Sequence, residues 1–228
     1  GYCMAEAWEK ACDWLGLEHI KPVFVPRKTV DWYPYLTPLL TQKPDMIDID
    51  NASPMVMALE VKQLRELGYK GLLYSTLTLI SPKWVEIAGG IENCEGLISG
   101  SSPDKDEPMY PEEMRDLEKR FIAKFDKWNP YVVRYGVTSA RPLLEILKMA
   151  KSPAADDFIA AAESGKTFHT EMGPCKVINL EPCGHFLVMP FFITEVKGGK
   201  VTILAKPVAD DIEKFAGEYN AAVGPPTK

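Results

Sequence analysis

KPDMIDIDNASPMVMALEVKQLRELGYKG, residues 43–71, reads as a buried strand, a short polar loop and an amphipathic helix. The strand is Asp45–Ile49 and the loop Asp50–Pro54. The helix, over 55–67, carries Met57, Val61, Leu64 and Leu67 at three- and four-residue spacing. Lys62, Arg65 and Glu66 cover its wet face, Gly68 stops it, and Lys70–Gly71 lead into apolar Leu72–Tyr74. Ligands of open α/β sheets bind just beyond the carboxyl ends of the strands. That places Asp50, Asn51 and Ser53 where a small molecule would sit.

The same alternation extends on both sides. A helical pattern over 4–15 leads to a strand at 20–25 (IKPVFV), a helix at 33–42 capped by Asp31, and then the quoted block. A strand at 72–75, a helix at 82–88 opened by Ser81-Pro82 and a strand at 95–99 follow. Strands alternating with helices of this length predict an α/β fold with a three-layer parallel sheet. Residues 100–110 (GSSPDKDEPMY) form a polar, proline-containing link that suits a domain crossover. Helices are expected at 111–126, 130–149 with a kink at Pro142, and 154–164. Strands are expected near 175–179, 187–196 and 201–205, with Lys197-Gly198-Gly199-Lys200 as a hairpin turn and 208–221 as a helical tail.

Composition bounds the function. The 228 residues, with 46% hydrophobic and 25% charged side chains, are those of a globular protein able to bury a sizeable core. A net charge of −6 without a basic block argues against nucleic acid and anionic membrane as partners. No apolar run is long enough to span a bilayer. The five cysteines are odd in number and hold no CxxC pair; Cys175 and Cys183 have hairpin-closing spacing, but buried or idle thiols are the simpler reading. His169, Cys175, Cys183 and His185 match no zinc signature. There is no Walker A loop, nucleophile elbow or dinucleotide fingerprint, so the residues point to neither an enzyme nor a cofactor.

The 43–71 block resembles the solute-binding proteins of branched-chain amino acid ABC transporters, whose corresponding helix ends in LRELGYKG or similar. Three further segments resemble that family in order: Val30–Leu36 through Pro44, Ser81–Gly90 followed by Glu95-Gly96, and the helix from Tyr131 to Lys148. The resemblance implies a type I periplasmic-binding-protein fold. Residues 1–104 would form one ligand-binding lobe completed by 167–205, residues 105–166 a helical remnant of the other lobe, and 206–228 a tail. It also implies extracytoplasmic capture of a small ligand, a branched-chain or aliphatic amino acid or an aromatic or aliphatic carboxylate, for ABC permease subunits. The chain opens with Gly1-Tyr2 directly ahead of a helical pattern. With the resemblance, this suggests the carboxyl-terminal portion of a longer protein, any export signal lying upstream.

The resemblance extends to single residues. Tyr2 falls at the family's strand-end tyrosine, and Tyr135 at an aromatic position on the return helix. Thr76 and Thr78 follow a strand at whose end relatives often hold the ligand's ammonium with an acidic side chain. No carboxylate occurs between Ser75 and Pro82 here, which weakens the case for an α-amino acid, since a buried ammonium needs a paired charge. Asp50, Asn51 and Ser53 could instead simply make a turn and a helix cap. Two alternatives stand beside the binding protein. In a phosphoacceptor receiver domain Asp50 would be the acceptor, although the acidic pair needed for Mg²⁺ is missing. The same fold could also serve as a sensory module of a receptor or regulator.

Overall fold

A computed structural model describes residues 2–26, 29–50, 53–76, 80–100, 107–127, 136–180 and 184–224. The chain divides into two compact units, Gly1–Asp104 with Phe192–Ala205, and Lys105–Phe191 with Lys206–Lys228.

In the first unit, α1 (Tyr2–Leu15), α2 (Tyr33–Leu40), β1 (Met46–Asp48), α3 (Pro54–Glu66), β2 (Leu72–Ser75), α4 (Pro82–Ala88) and β3 (Leu97–Ser99) follow one another, alternating from α2 onward as the sequence predicts. The strands β1, β2 and β3 are parallel, with Ile47 opposite Leu73 and Leu73 opposite Leu97. Pro54 opens α3 at a position where its missing N–H costs nothing. Met57, Ala58, Val61 and Leu64 form the helix's buried face. Gly68, at φ +84°, ends it, with Tyr69 N–H donating to Leu64 O (3.0 Å) and Gly68 N–H to Arg65 O (3.0 Å). This is the left-handed glycine closure that satisfies orphan carbonyls.

Arg65, assigned by its spacing to the wet face, is partly buried. Its guanidinium donates to the carbonyls of Tyr69 (2.8 Å), Gly71 (3.2 Å), Asn93 (3.0 Å) and Glu95 (2.6 Å). It thereby ties the end of α3 to the entries of β2 and β3. Gln63, 7% exposed, does the same for the segment before α2. Its Oε1 accepts from Trp32 N–H (2.7 Å) and its Nε2 donates to Val30 O (2.9 Å).

The sheet is mixed rather than wholly parallel: β7 (Ile193–Lys197) pairs antiparallel with β3, and β8 (Lys200–Ala205) with β7. The Gly198–Gly199 turn joins them, as expected. Residues 20–25 are not a strand. Pro22 removes a ladder donor, and Val23 and Phe24 stay about half exposed.

The second unit holds α5 (Glu112–Phe125), α6 (Thr138–Met149), α7 (Ala155–Ala162), the strands β4 (Phe168–Thr170), β5 (Gly173–Leu180) and β6 (Gly184–Val188), and α8 (Ala209–Val223). Here the expected boundaries change. Only β7 and β8, not the whole of 167–205, complete the first sheet, because β4, β5 and β6 pair with one another as consecutive antiparallel strands. Phe168 and Cys175 are buried with Ile146, Ala161 and Ala162, so the hairpins belong with the 105–166 helices. The expected 187–196 strand is broken after Val188, next to Pro190, which has no N–H to give. The tail is an ordered helix: Ala209 and Ile212 pack with Ile178 and Val188, and Lys176 Nζ meets Asp210 (2.7 Å) and Glu213. Among the described residues no helix is long and apolar enough to cross a membrane.

Candidate ligand-binding site

The parallel strands β1 and β2 end side by side, Asp48 opposite Tyr74, and the polar side chains at their ends form one ladder. Asp48 Oδ1 accepts the backbone N–H of Asp50 at 2.8 Å. The Asp50 carboxylate crosses to β2, where it accepts from Ser75 Oγ (2.6 Å), the Thr76 N–H (3.1 and 3.0 Å to its two oxygens) and Thr76 Oγ1. Ser75 is fully buried, its hydroxyl also 3.7 Å from Met57 Sδ. On the other face of β2, the rings of Tyr74 and Trp8 of α1 meet edge to face at 5.0 Å.

Asp48 keeps an exposed edge, yet burial of its carboxyl pushes its pKa up to about 6. The neighbouring Asp50 charge raises it further, against hydrogen bonds from Asp50 N–H and the Trp8 side chain. Burial likewise raises the Tyr74 phenol, with Asp50 and Asp48 adding to it. The strand ends are thus acidic and partly dry, suited to meet a donor group.

Ser53 holds the N-cap position of α3, where its carbonyl accepts from Val56 (3.0 Å) and Met57 (3.1 Å) N–H. Its hydroxyl makes no capping bond to the helix, so the expected side-chain cap is absent. The structure therefore brings Asp50 and Thr76 together and puts Ser53 at the helix start. Asn51, Thr78 and Tyr135 lie outside the described residues; Tyr2 begins α1, and its side chain lies outside them too. Trp8 lies on the helical stripe Ala5, Trp8, Cys12 and Leu15, which reads from the sequence as a packing face, and its approach to the Asp48 carboxyl could not be read there.

The His and Cys residues tested as metal ligands have other surroundings. His169 Nε2 lies 2.8 Å from Glu113 Oε2, and His185 pairs with Glu163. Cys175 is free and buried. Burial pushes its thiol up to about 11 and that of Cys94 to about 12, so both stay protonated and unreactive. Cys183 lies outside the described residues.

A sequence profile of the periplasmic binding protein family matches residues 1–200, and the chain belongs to that family. Solved structures agree on the fold. A leucine-binding protein from Thermotoga maritima is 21% identical with a TM-score of 0.64, over 87% of this chain and 54% of that one. A leucine-, isoleucine-, valine-, threonine- and alanine-binding protein from Brucella ovis, in its closed conformation, is 18% identical with a TM-score of 0.73, over 90% and 54%. A solute-binding protein of an ABC transporter from Rhodopseudomonas palustris, in complex with benzoate, is 19% identical with a TM-score of 0.62, over 90% and 55%. The chain spans little more than half the length of these relatives. No curated protein matches it.

Proposed function

We propose that the protein carrying this chain is an extracytoplasmic solute-binding protein that captures a small amino acid or related carboxylate for an ABC transporter. Binding needs no chemistry: affinity comes from burying the ligand and pairing its charged ends. The single observation that carries this reading is the Asp48–Asp50–Thr76 ladder at the carboxyl ends of two parallel strands. The carboxylate missing from the sequence after β2 is supplied in space by Asp50, whose oxygens lie on Ser75 and Thr76. An ammonium could be paired there, which favours an amino acid. The start of α3, with Asn51 and Ser53, would face the ligand's carboxylate; Thr78, Tyr2 and Tyr135 would complete the walls. The partners are ABC permease subunits.

Amine-free acids remain the second reading, because Asp50 already accepts from Ser75 and from both Thr76 donors. Calorimetry with leucine, its 2-oxo analogue and benzoate separates the two. Tight leucine binding that Asp50→Asn weakens by about tenfold or more supports the amino acid. Tighter binding of the oxo acid or benzoate selects the second reading. Binding of none of the three overturns both.

A further inference from the structure

Asp48 and Asp50 are two residues apart, so in a continuing strand their side chains would stand on one face, carboxylate beside carboxylate. The chain avoids this where β1 ends. Asp48 Oδ1 accepts the Asp50 N–H at 2.8 Å, a side-chain turn that bends the backbone. The Asp48 carboxyl stays beside Tyr74, its register partner on β2, and the Trp8 side chain of α1 reaches it there. The Asp50 carboxylate is carried away from it, to Ser75 and Thr76 at the end of β2.

Both Asp50 oxygens are thereby committed. Oδ1 accepts from Ser75 Oγ at 2.6 Å and from Thr76 N–H at 3.1 Å, and Oδ2 accepts from Thr76 N–H at 3.0 Å and from Thr76 Oγ1. Its charge is fixed in place while its lone pairs are largely filled. A ligand's ammonium therefore meets its field more than a fresh acceptor. Asp48 is the neighbouring group able to strengthen or weaken that field. The ionisable groups that face Asp48 are Asp50, from the loop after β1, and the Tyr74 phenol, from β2; α1 faces it with uncharged Trp8. None of these three carries positive charge, and burial pushes the Asp48 carboxyl up to about 6, so an arriving cation would favour its ionised form.

We propose, resting on the amino-acid reading above, that Asp48 is the positioning residue of the strand-end site: it turns Asp50 onto β2 through the Asp50 N–H, and by giving up its own proton it strengthens the hold on a ligand's ammonium. The ammonium binds, the O–H bond of neutral Asp48 breaks, and the proton leaves to solvent. A bound cation lowers the Asp48 pKa. Affinity is therefore full above the ligand-free value and falls as pH drops through about 6.

The test is calorimetry of leucine binding to the protein carrying this chain, from about pH 5 to about pH 8, in paired buffers of different ionisation heat. Affinity should be level at the upper end and several-fold weaker at the lower, with proton release near the Asp48 midpoint. Asp48→Asn keeps an oxygen for the Asp50 N–H but no charge; it should bind leucine several-fold more weakly at neutral pH, with a flat profile and no proton release. Asp48→Ala also loses the turn and should bind more weakly still, by about tenfold or more against the unsubstituted protein. A merely structural Asp48 would lower affinity without moving the pH profile. Leucine binding that is flat with pH, or equally pH-dependent in Asp48→Asn, overturns the proposal alone. Leucine that binds at no pH removes the amino-acid reading and the proposal with it. Should Asp48→Ala unfold, the Thr76 amide resonance of the 228-residue chain decides the positioning role. It should titrate with a midpoint at about 6 and lose that titration in Asp48→Asn; a Thr76 amide indifferent to Asp48 overturns the proposal.

Discussion

The two units of this chain bury their apolar side chains in different ways. In the first, one continuous core runs from Leu36 through Val61, Leu64, Leu73 and Trp84 to Leu97 and Val196, because a mostly parallel βα sheet has helices to cover it. In the second, the buried residues include a patch around Ile146 and Phe168, a smaller one around Ile178 and Val188, and further side chains such as Met114 and Leu117 of α5 that belong to neither. There α6 leaves Leu143, Leu144 and Leu147 exposed. Antiparallel hairpins need cover on one face only, so the second unit builds a core without enclosing all its helices. The contrast predicts that backbone amides of β1, β2 and β3 exchange with solvent more slowly than those of β4, β5 and β6. Faster exchange in the first sheet would break the comparison.

The largest expected effect is at Trp84, fully buried in the first core. Trp84→Ala should cost about 3–5 kcal/mol in urea unfolding of the first unit, while leaving the exchange rates of the second unit unchanged. Next is Arg65, whose four carbonyl contacts cross the end of α3. Arg65→Met keeps the stem but strands the acceptors, and should cost about 2–3 kcal/mol, read as a lower urea midpoint.

Asp48 gives a smaller effect with a definite sign. Its folded pKa is raised, to about 6 from an ordinary 3.8. The folded state therefore binds the proton more tightly than the unfolded one. The resulting stability is fully present below the ordinary value and is lost as pH rises through about 6. Thermal melts should rise on acidification from pH 7 toward 4 relative to Asp48→Asn, which lacks this dependence. A parallel response of the two proteins would show that the strand end is as wet as the surface. The smallest effect is at Leu144: Leu144→Gln should change stability by no more than about 0.5 kcal/mol while lowering self-association measured by light scattering, as an exposed apolar patch predicts.

Sequence reasoning read the first unit well because its signals are local. Spacing located α3, Gly68 its end, and Ser81-Pro82 the start of α4, where Ser81 Oγ accepts from Trp84 N–H at 3.2 Å. It failed where pairing at a distance decides. Pro22 in IKPVFV and Pro190 each weaken a strand locally, but no local signal shows which strands pair, or that β7 leaves the hairpins to join β3. For the site, the loop Asp50–Ser53 was legible as a strand-to-helix turn. That Asp50 reaches Thr76 was not, because the bond links residues on different strands.

The return of β7 to β3 sets the order in which the molecule can be made. Ile98 and Ser99 face Glu195 and Thr194, so the Lys105–Phe191 excursion must leave the ribosome before β3 gains its outer neighbour. Until then a nascent chain carries β1, β2 and β3 with the β3 edge open, a template for pairing with other chains. The first unit begins early and closes late, and throughout that interval a chaperone has a physical reason to hold it.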